Sequence, residues 1–254
     1  MLGDIERVLE RPGALLEGAR LTADGAVLYS DVTGGGVYRD GDVVVPKRRG
    51  VGGLVPHREG GVVVTGPTVQ HGERVLLASD DLTGFNDLTT TPDGDLLVGA
   101  LRFHPFKGEE PVPGALLHLR APGDAAVLDE AVLWPNGIGL SPGGDRLYMC
   151  DYARAHVVTM GIDGGGWATF AESPRGSADG LAVDVEGGVW VALGDAGAVA
   201  RFDPDGDLAA VVDIPADFVS SISFRGTDVL ITAVGALFRA RSEVAGVPVA
   251  DARI

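Results

Sequence analysis

Four oxygen-bearing side chains of this 254-residue sequence share one position relative to a recurrent turn signal. Glu17, Asn86, Asn136 and Asp179 each lie seven residues ahead of a turn-like pair: Asp24-Gly25, Asp93-Gly94, Gly143-Gly144 and Glu186-Gly187. Two carboxylates and two amides make an all-oxygen donor set. Such a set suits a hard cation such as Ca²⁺ or Mg²⁺ more than Zn²⁺, whose sites favour His and Cys. None of the five histidines has this offset. Carboxylates that converge without a cation repel each other and shift each other's pKa, so a bound divalent cation is the simpler expectation. The alternative is that Glu17-Gly18, Asn136-Gly137 and Asp179-Gly180 are themselves hairpin turns. Against it, each already has a turn seven residues later, and "ARLTA", "IGLSP" and "LAVDV" after the pairs read as strand.

The surrounding elements read almost wholly as β-structure. Helical periodicity is nearly absent, and short β-rich runs such as "AVLYSDV", "DLLVGAL", "RLYMCDY" and "GVWVALG" follow the turn pairs. With Glu59-Gly60 and the looser Gly226-Thr227, the pairs recur every 34 to 50 residues. Gly52 and Val219 hold the seven-residue offset in those two repeats. Six units of about 40 residues, each unable to bury both faces alone, predict an all-β, six-bladed β-propeller forming a single domain over residues 1–254. A β-sandwich is the runner-up, but it needs no repeat of this length. In a propeller the innermost strands run along a central axis, so the four polar residues are expected to converge at one end of it. Ring closure predicts that the N-terminal segment "IERVLE" pairs into the last repeat, beside "SEVAGVPVADARI".

Composition narrows the function classes. The net charge of −16 is a poor footing for nucleic acid, whose binding usually needs a basic stripe, and argues against docking on anionic lipid. The charge serves solubility, or in part holds a cation. No apolar run approaches the ~20 residues of a membrane span, and "MLGDIERVLE" lacks a signal-length apolar stretch. The expectation is a cytoplasmic protein with a small-molecule substrate and neither nucleic-acid nor membrane partner. The one cysteine, Cys150, sits in a strand and reads as buried filler. No Gly-x-Ser-x-Gly motif occurs, and Ser141, Ser220 and Ser221 have no marked histidine partner. Asp151 and Asp184 read as structural strand residues. Trp134, Trp167 and Trp190 read as packing, although Trp134 comes close to Asn136.

At "LLEGARLTADGAVLYSDVTGGGVYR", "GFNDLTTTPDGDLLVGAL", "PNGIGLSPGGDRLYMCDY" and "ADGLAVDVEGGVWVALGDAGAVARFDPDG" the sequence resembles the senescence-marker/gluconolactonase/luciferin-regenerating family of six-bladed propeller hydrolases. The resemblance covers most of the chain, weakens over Val51 to Asp80 and thins after Val211. It implies that Glu17, Asn136 and Asp179 bind a divalent cation, Ca²⁺ ahead of Mg²⁺, Mn²⁺ or Zn²⁺. It also implies that Asn86 faces the substrate and that Asp179 is the general base. Two positions depart from the family pattern. Gly84 stands where sugar-lactone members commonly carry an arginine that holds substrate hydroxyls, and Ala178 stands where proline is frequent.

The segment "LRFHPFKGEEPVPG" is long for a hairpin connection and is expected to form a rim or lid. Arg102 and His104 are candidate substrate-binding residues there, the alternative for Arg102 being a surface ion pair. Phe103 and Phe106 would give the mouth an apolar character, suited to a less polar substrate. Together these readings predict a metal-dependent lactone or ester hydrolase. The alternatives are a non-hydrolytic isomerase, cyclase or condensing enzyme on the same scaffold, as in strictosidine-synthase-like propellers, or a binding propeller with a structural cation.

Overall fold

Runs of Val, Leu, Ile and aromatic residues between glycine turns satisfy their backbone groups through antiparallel ladders, and the computed structural model, which describes residues 1–254, contains no α-helix. The strands in chain order begin with β1 (Glu6–Leu21), β2 (Val27–Asp31), β3 (Val37–Arg39) and β4 (Asp42–Val45). Next come β5 (Leu54–Pro56), β6 (Val62–Val64), β7 (Val69–His71) and β8 (Arg74–Leu77). The third repeat gives β9 (Gly84–Thr90), β10 (Leu96–Leu101), β11 (Ala115–Ala121) and β12 (Asp124–Asp129). The fourth gives β13 (Pro135–Leu140), β14 (Arg146–Asp151), β15 (His156–Gly161) and β16 (Gly164–Glu172). The last strands are β17 (Leu181–Val183), β18 (Val189–Ala192), β19 (Ala198–Phe202), β20 (Leu208–Asp213), β21 (Val219–Arg225) and β22 (Asp228–Arg241). No helix is long and apolar enough to cross a membrane.

The expected six blades are corrected to five. Four sheets have four strands each, and the fifth has six, in the order β21-β22-β1-β2-β3-β4. The cause is β1, which continues through Pro12 and Gly13 and serves two neighbours. Glu6 to Glu10 pair with Arg239 to Ala236 of β22, and Leu16 to Leu21 pair with Asp31 to Val27 of β2. The first and last repeats are therefore joined in one hydrogen-bonded sheet. The pairing of the N-terminal segment with the last repeat is observed, and Leu2 bridges Ser242 beside it.

β1, β5, β9, β13, β17 and β21 contact one another in sequence around a closed ring. Apolar clusters fill the wedges between sheets. Val55, Val63 and Val69 pack against Leu88, Leu96 and Val98, for example. The C-terminal segment crosses the far ends of the inner strands. Val247 N donates to Val183 O at 2.8 Å, and Ala252 N donates to Pro56 O at 2.8 Å. The strand heads at the other end of the axis carry the polar residues.

Asp184 and Asp151 are structural, as read from the sequence. Asp184 is wholly buried and accepts from the backbone of Glu186 and Gly188, from Trp190 Nε1 and from Arg201 Nε. Truncating a buried ion-pair partner costs about 3–5 kcal/mol. Asp184→Ala is therefore expected to lower the melting temperature by roughly 10 °C or more, as read by thermal denaturation. Asp151 binds the backbone N–H groups of Leu133 and Trp134 and so fixes the peptide that leads to Asn136.

Candidate functional site

A β-strand alternates its side chains, so a residue at the head of an inner strand turns toward the axis only if the register permits. Here β-bulges supply that turn. Gly18-Ala19 oppose the single residue Tyr29, Asn86-Asp87 oppose Gly99, and Asn136-Gly137 oppose Cys150. Asp179 precedes β17 and is pinned by its own N–H to Ala192 O at 2.9 Å. Glu17, Asn86, Asn136 and Asp179, drawn from three bulged strand heads and one strand approach, line a single cavity of about 460 Å³. A second cavity of about 370 Å³ at the opposite end of the axis, beside Val247 to Val249, contains none of the four.

The glycines that follow Asn136 and Asp179 are not turn residues. Neither Gly137 nor Gly180 has a positive φ. Their role is close approach between inner strands. A Cβ on Gly137 would overlap Leu181 N and lie 2.6 Å from Gly180 C, and one on Gly180 would meet the Ser221 side chain and lie 2.7 Å from Ser221 Cα. Gly137→Ala is expected to force β13 and β17 apart, at a cost of about 3 kcal/mol, measurable as a lowered denaturation midpoint.

Charge is concentrated at the heart of the site. Glu17 and Asp179 are buried, and both carboxyls are pushed well above their ordinary range, first by burial and then by neighbouring negative charge. For Glu17 the neighbours are Asp179 and Asp87; for Asp179 the neighbour is Asp87, opposed by the Asn136 side-chain hydrogen bond. Asp87 is raised to about 6 by burial, against the favourable charge of Arg20. Arg20 donates from Nη1 to Ala19 O at 3.0 Å, while its buried Nε has no partner. Of the three carboxyls only Asp87 faces the Arg20 guanidinium, which itself borders the second cavity at the opposite end of the axis. No group of three His, Cys, Asp or Glu side chains is arranged as a metal cluster. The donors that could hold a cation are the mixed set Glu17, Asn136 and Asp179.

These shifts set a pH dependence for the cation-free protein. An acid whose pKa is higher folded than unfolded stabilises the fold below its unfolded pKa, and this stabilisation is lost as pH rises through the folded value. The unfolded values are near 4.5 for Glu17 and 3.8 for the two aspartates, and Asp87 reaches about 6 in the fold. With chelator present, the melting temperature is therefore expected to be lower at about pH 8 than at about pH 5. Scanning calorimetry at the two pH values checks this.

Asn86 is held by its Nδ2 donating to Pro135 O at 3.0 Å, with Oδ1 beside Gly52. His104 lines the cavity, as do Phe103 and Phe106 from the same segment. Arg102 does not line it. It is turned outward to Glu130 and to the carbonyls of Pro113 and Gly114, the surface-pairing alternative. Sequence reasoning missed Asp87, Arg20 and Tyr152. Two consecutive polar residues between Phe85 and Leu88, Asn86-Asp87, break strict alternation and are the signal that could have revealed the bulge. Cys150 is buried, and burial together with Asp179, Asp87 and Asp151 pushes its thiol well up, the reverse of what a nucleophile needs.

Residues 15–234 match the family described as SMP-30/Gluconolactonase/LRE-like region. The chain is 28% identical over 215 residues to pentonolactonase XacC of Haloferax volcanii, covering 81% of this chain and 67% of that protein. It is 27% identical over 247 residues to 6-deoxy-6-sulfogluconolactonase of Pseudomonas putida, covering 87% and 82%. Among solved structures, the calcium-binding protein regucalcin from Agrobacterium tumefaciens superposes with a TM-score of 0.81 at 22% identity, covering 98% of this chain and 97% of that one.

Proposed function

The chain belongs to the SMP-30/gluconolactonase/LRE-like family, and we propose that it is a lactone hydrolase whose reaction centre is the cluster of Glu17, Asn86, Asn136 and Asp179. Similarity to two relatives named as lactonases supports the reaction class. The observation that carries the site assignment is the buried charge itself. Asp87 has Arg20 as a positive partner, whereas Glu17 and Asp179, once ionised, are two negative charges without one in a cavity lined by oxygen donors. One divalent cation neutralises that excess, and the all-oxygen donors fit Ca²⁺ or a similar hard ion. The name of the regucalcin neighbour makes Ca²⁺ the first candidate.

Glu17, Asn136 and Asp179 would hold the cation. When bound, it supplies positive charge to the lactone carbonyl oxygen as that oxygen becomes an oxyanion. Asp179 takes the proton of the attacking water, a contribution of roughly 10²–10⁴-fold. Asn86, fixed by the Pro135 carbonyl, orients the lactone against the site. The ring C–O bond then breaks, the leaving oxygen takes up a proton, and the product is a hydroxy acid. Trp134 and Tyr152 form an aromatic side of the cavity.

The test is acid release followed at constant pH over a panel of aliphatic, aromatic and sugar lactones, with product mass determined. Release of one acid per lactone with the mass of one water added supports hydrolysis. A product of unchanged mass would move the assignment to an isomerase or cyclase on this scaffold.

A further inference from the structure

The cavity wall beside the polar cluster is aromatic. Phe103 and Trp134 meet edge to face with ring centroids 5.1 Å apart, and Trp134 and Tyr152 follow at 4.5 Å. All three line the cavity, with Phe218 among the other lining residues. Phe103 is 2% exposed, so it packs behind Trp134 and offers little surface of its own. Phe106 is the reverse. It lines the same cavity from the turn Pro105–Lys107 yet is 71% exposed, more than any other large apolar residue of the chain. That turn is braced by Lys107 N donating to His104 O at 3.0 Å and by His104 N donating to Glu109 at 2.7 Å. An aromatic ring held in water at a cavity mouth gains free energy only when something apolar covers it. Gly84, also in the lining, offers no side chain to hydrogen-bond a substrate hydroxyl.

Resting on the lactone-hydrolase reading, we infer that the substrate is a lactone bearing an aryl or alkyl substituent, which lies along Trp134 and Tyr152 and is covered by Phe106. A hydroxylated lactone gains less here: Arg49, Thr83, His104 and Lys107 are the polar lining groups left to meet its hydroxyls, and hydroxyls set against the aromatic wall lose their hydrogen bonds to water without replacement. An apolar substituent gains from burial, and each methylene matched by an apolar pocket is worth roughly 10-fold or more in kcat/KM.

The experiment compares three five-membered lactones: γ-butyrolactone, its γ-phenyl or γ-alkyl derivative, and a pentono-1,4-lactone. The substituted lactone is expected to exceed γ-butyrolactone by at least about 10-fold in kcat/KM, with the pentonolactone lowest. Phe106→Ala, at an exposed position, is expected to fold with an unchanged melting temperature and to reduce the ratio of substituted to unsubstituted kcat/KM severalfold. A pentonolactone opened as well as or better than the substituted lactone overturns the inference and leaves the lactonase assignment standing. An unchanged ratio in Phe106→Ala also overturns it. If none of the three lactones is opened, the lactonase assignment falls and the inference with it.

Discussion

Asp179→Asn is expected to lose lactone opening, with kcat/KM reduced by roughly 10³-fold, while its cation-free form melts higher than the cation-free parent. The two effects have one origin. Asp179 is buried beside other carboxylates, and its negative charge is unfavourable in the fold until something positive accompanies it. An amide of the same shape keeps an acceptor for the Asn136 side chain and removes the repulsion. A gain of about 1 kcal/mol is the scale expected when a functional residue held at a cost is relieved. The same change removes the group assigned to deprotonate water. A residue with a purely structural role behaves oppositely, since its replacement lowers stability. Paired measurements of kcat/KM and of melting temperature in chelator separate the two cases.

The second large effect concerns Glu17. Glu17→Gln leaves Asp179 as the one proposed carboxylate ligand without a positive partner, instead of two. Divalent-cation affinity follows ligand charge, and at short range in a partly dehydrated site one unit of charge is worth several kcal/mol. Affinity for Ca²⁺ is expected to fall by at least about 100-fold, read directly by titration calorimetry on chelated protein.

Glu17, Asn86, Asn136 and Asp179 were legible in the sequence because a constant offset from a turn survives in one dimension, whatever the intervening residues. The convergence of residues spread from 17 to 179 followed from a ring of repeats. What was not legible depends on contacts distant in sequence. The joining of the first and last repeats into one sheet arises because β1 runs on through Pro12 and Gly13, a pair that reads locally as a break. Gly137 and Gly180 resemble turn residues in sequence, and only the approach of neighbouring inner strands reveals why no side chain fits. Arg102 had two equivalent readings, decided by Glu130 on a following strand connection. Asp87 and Arg20 were hidden because a bulge, not alternation, sets the direction of the residues around them.

The most direct measurement is acid release from a lactone panel by protein stripped with chelator and then reconstituted with Ca²⁺, Mg²⁺, Mn²⁺ or Zn²⁺, with Asp179→Asn run in parallel. The account predicts turnover that disappears on stripping, returns with at least one divalent cation, and stays absent in the variant. Full turnover by the stripped protein, or by Asp179→Asn, would contradict it.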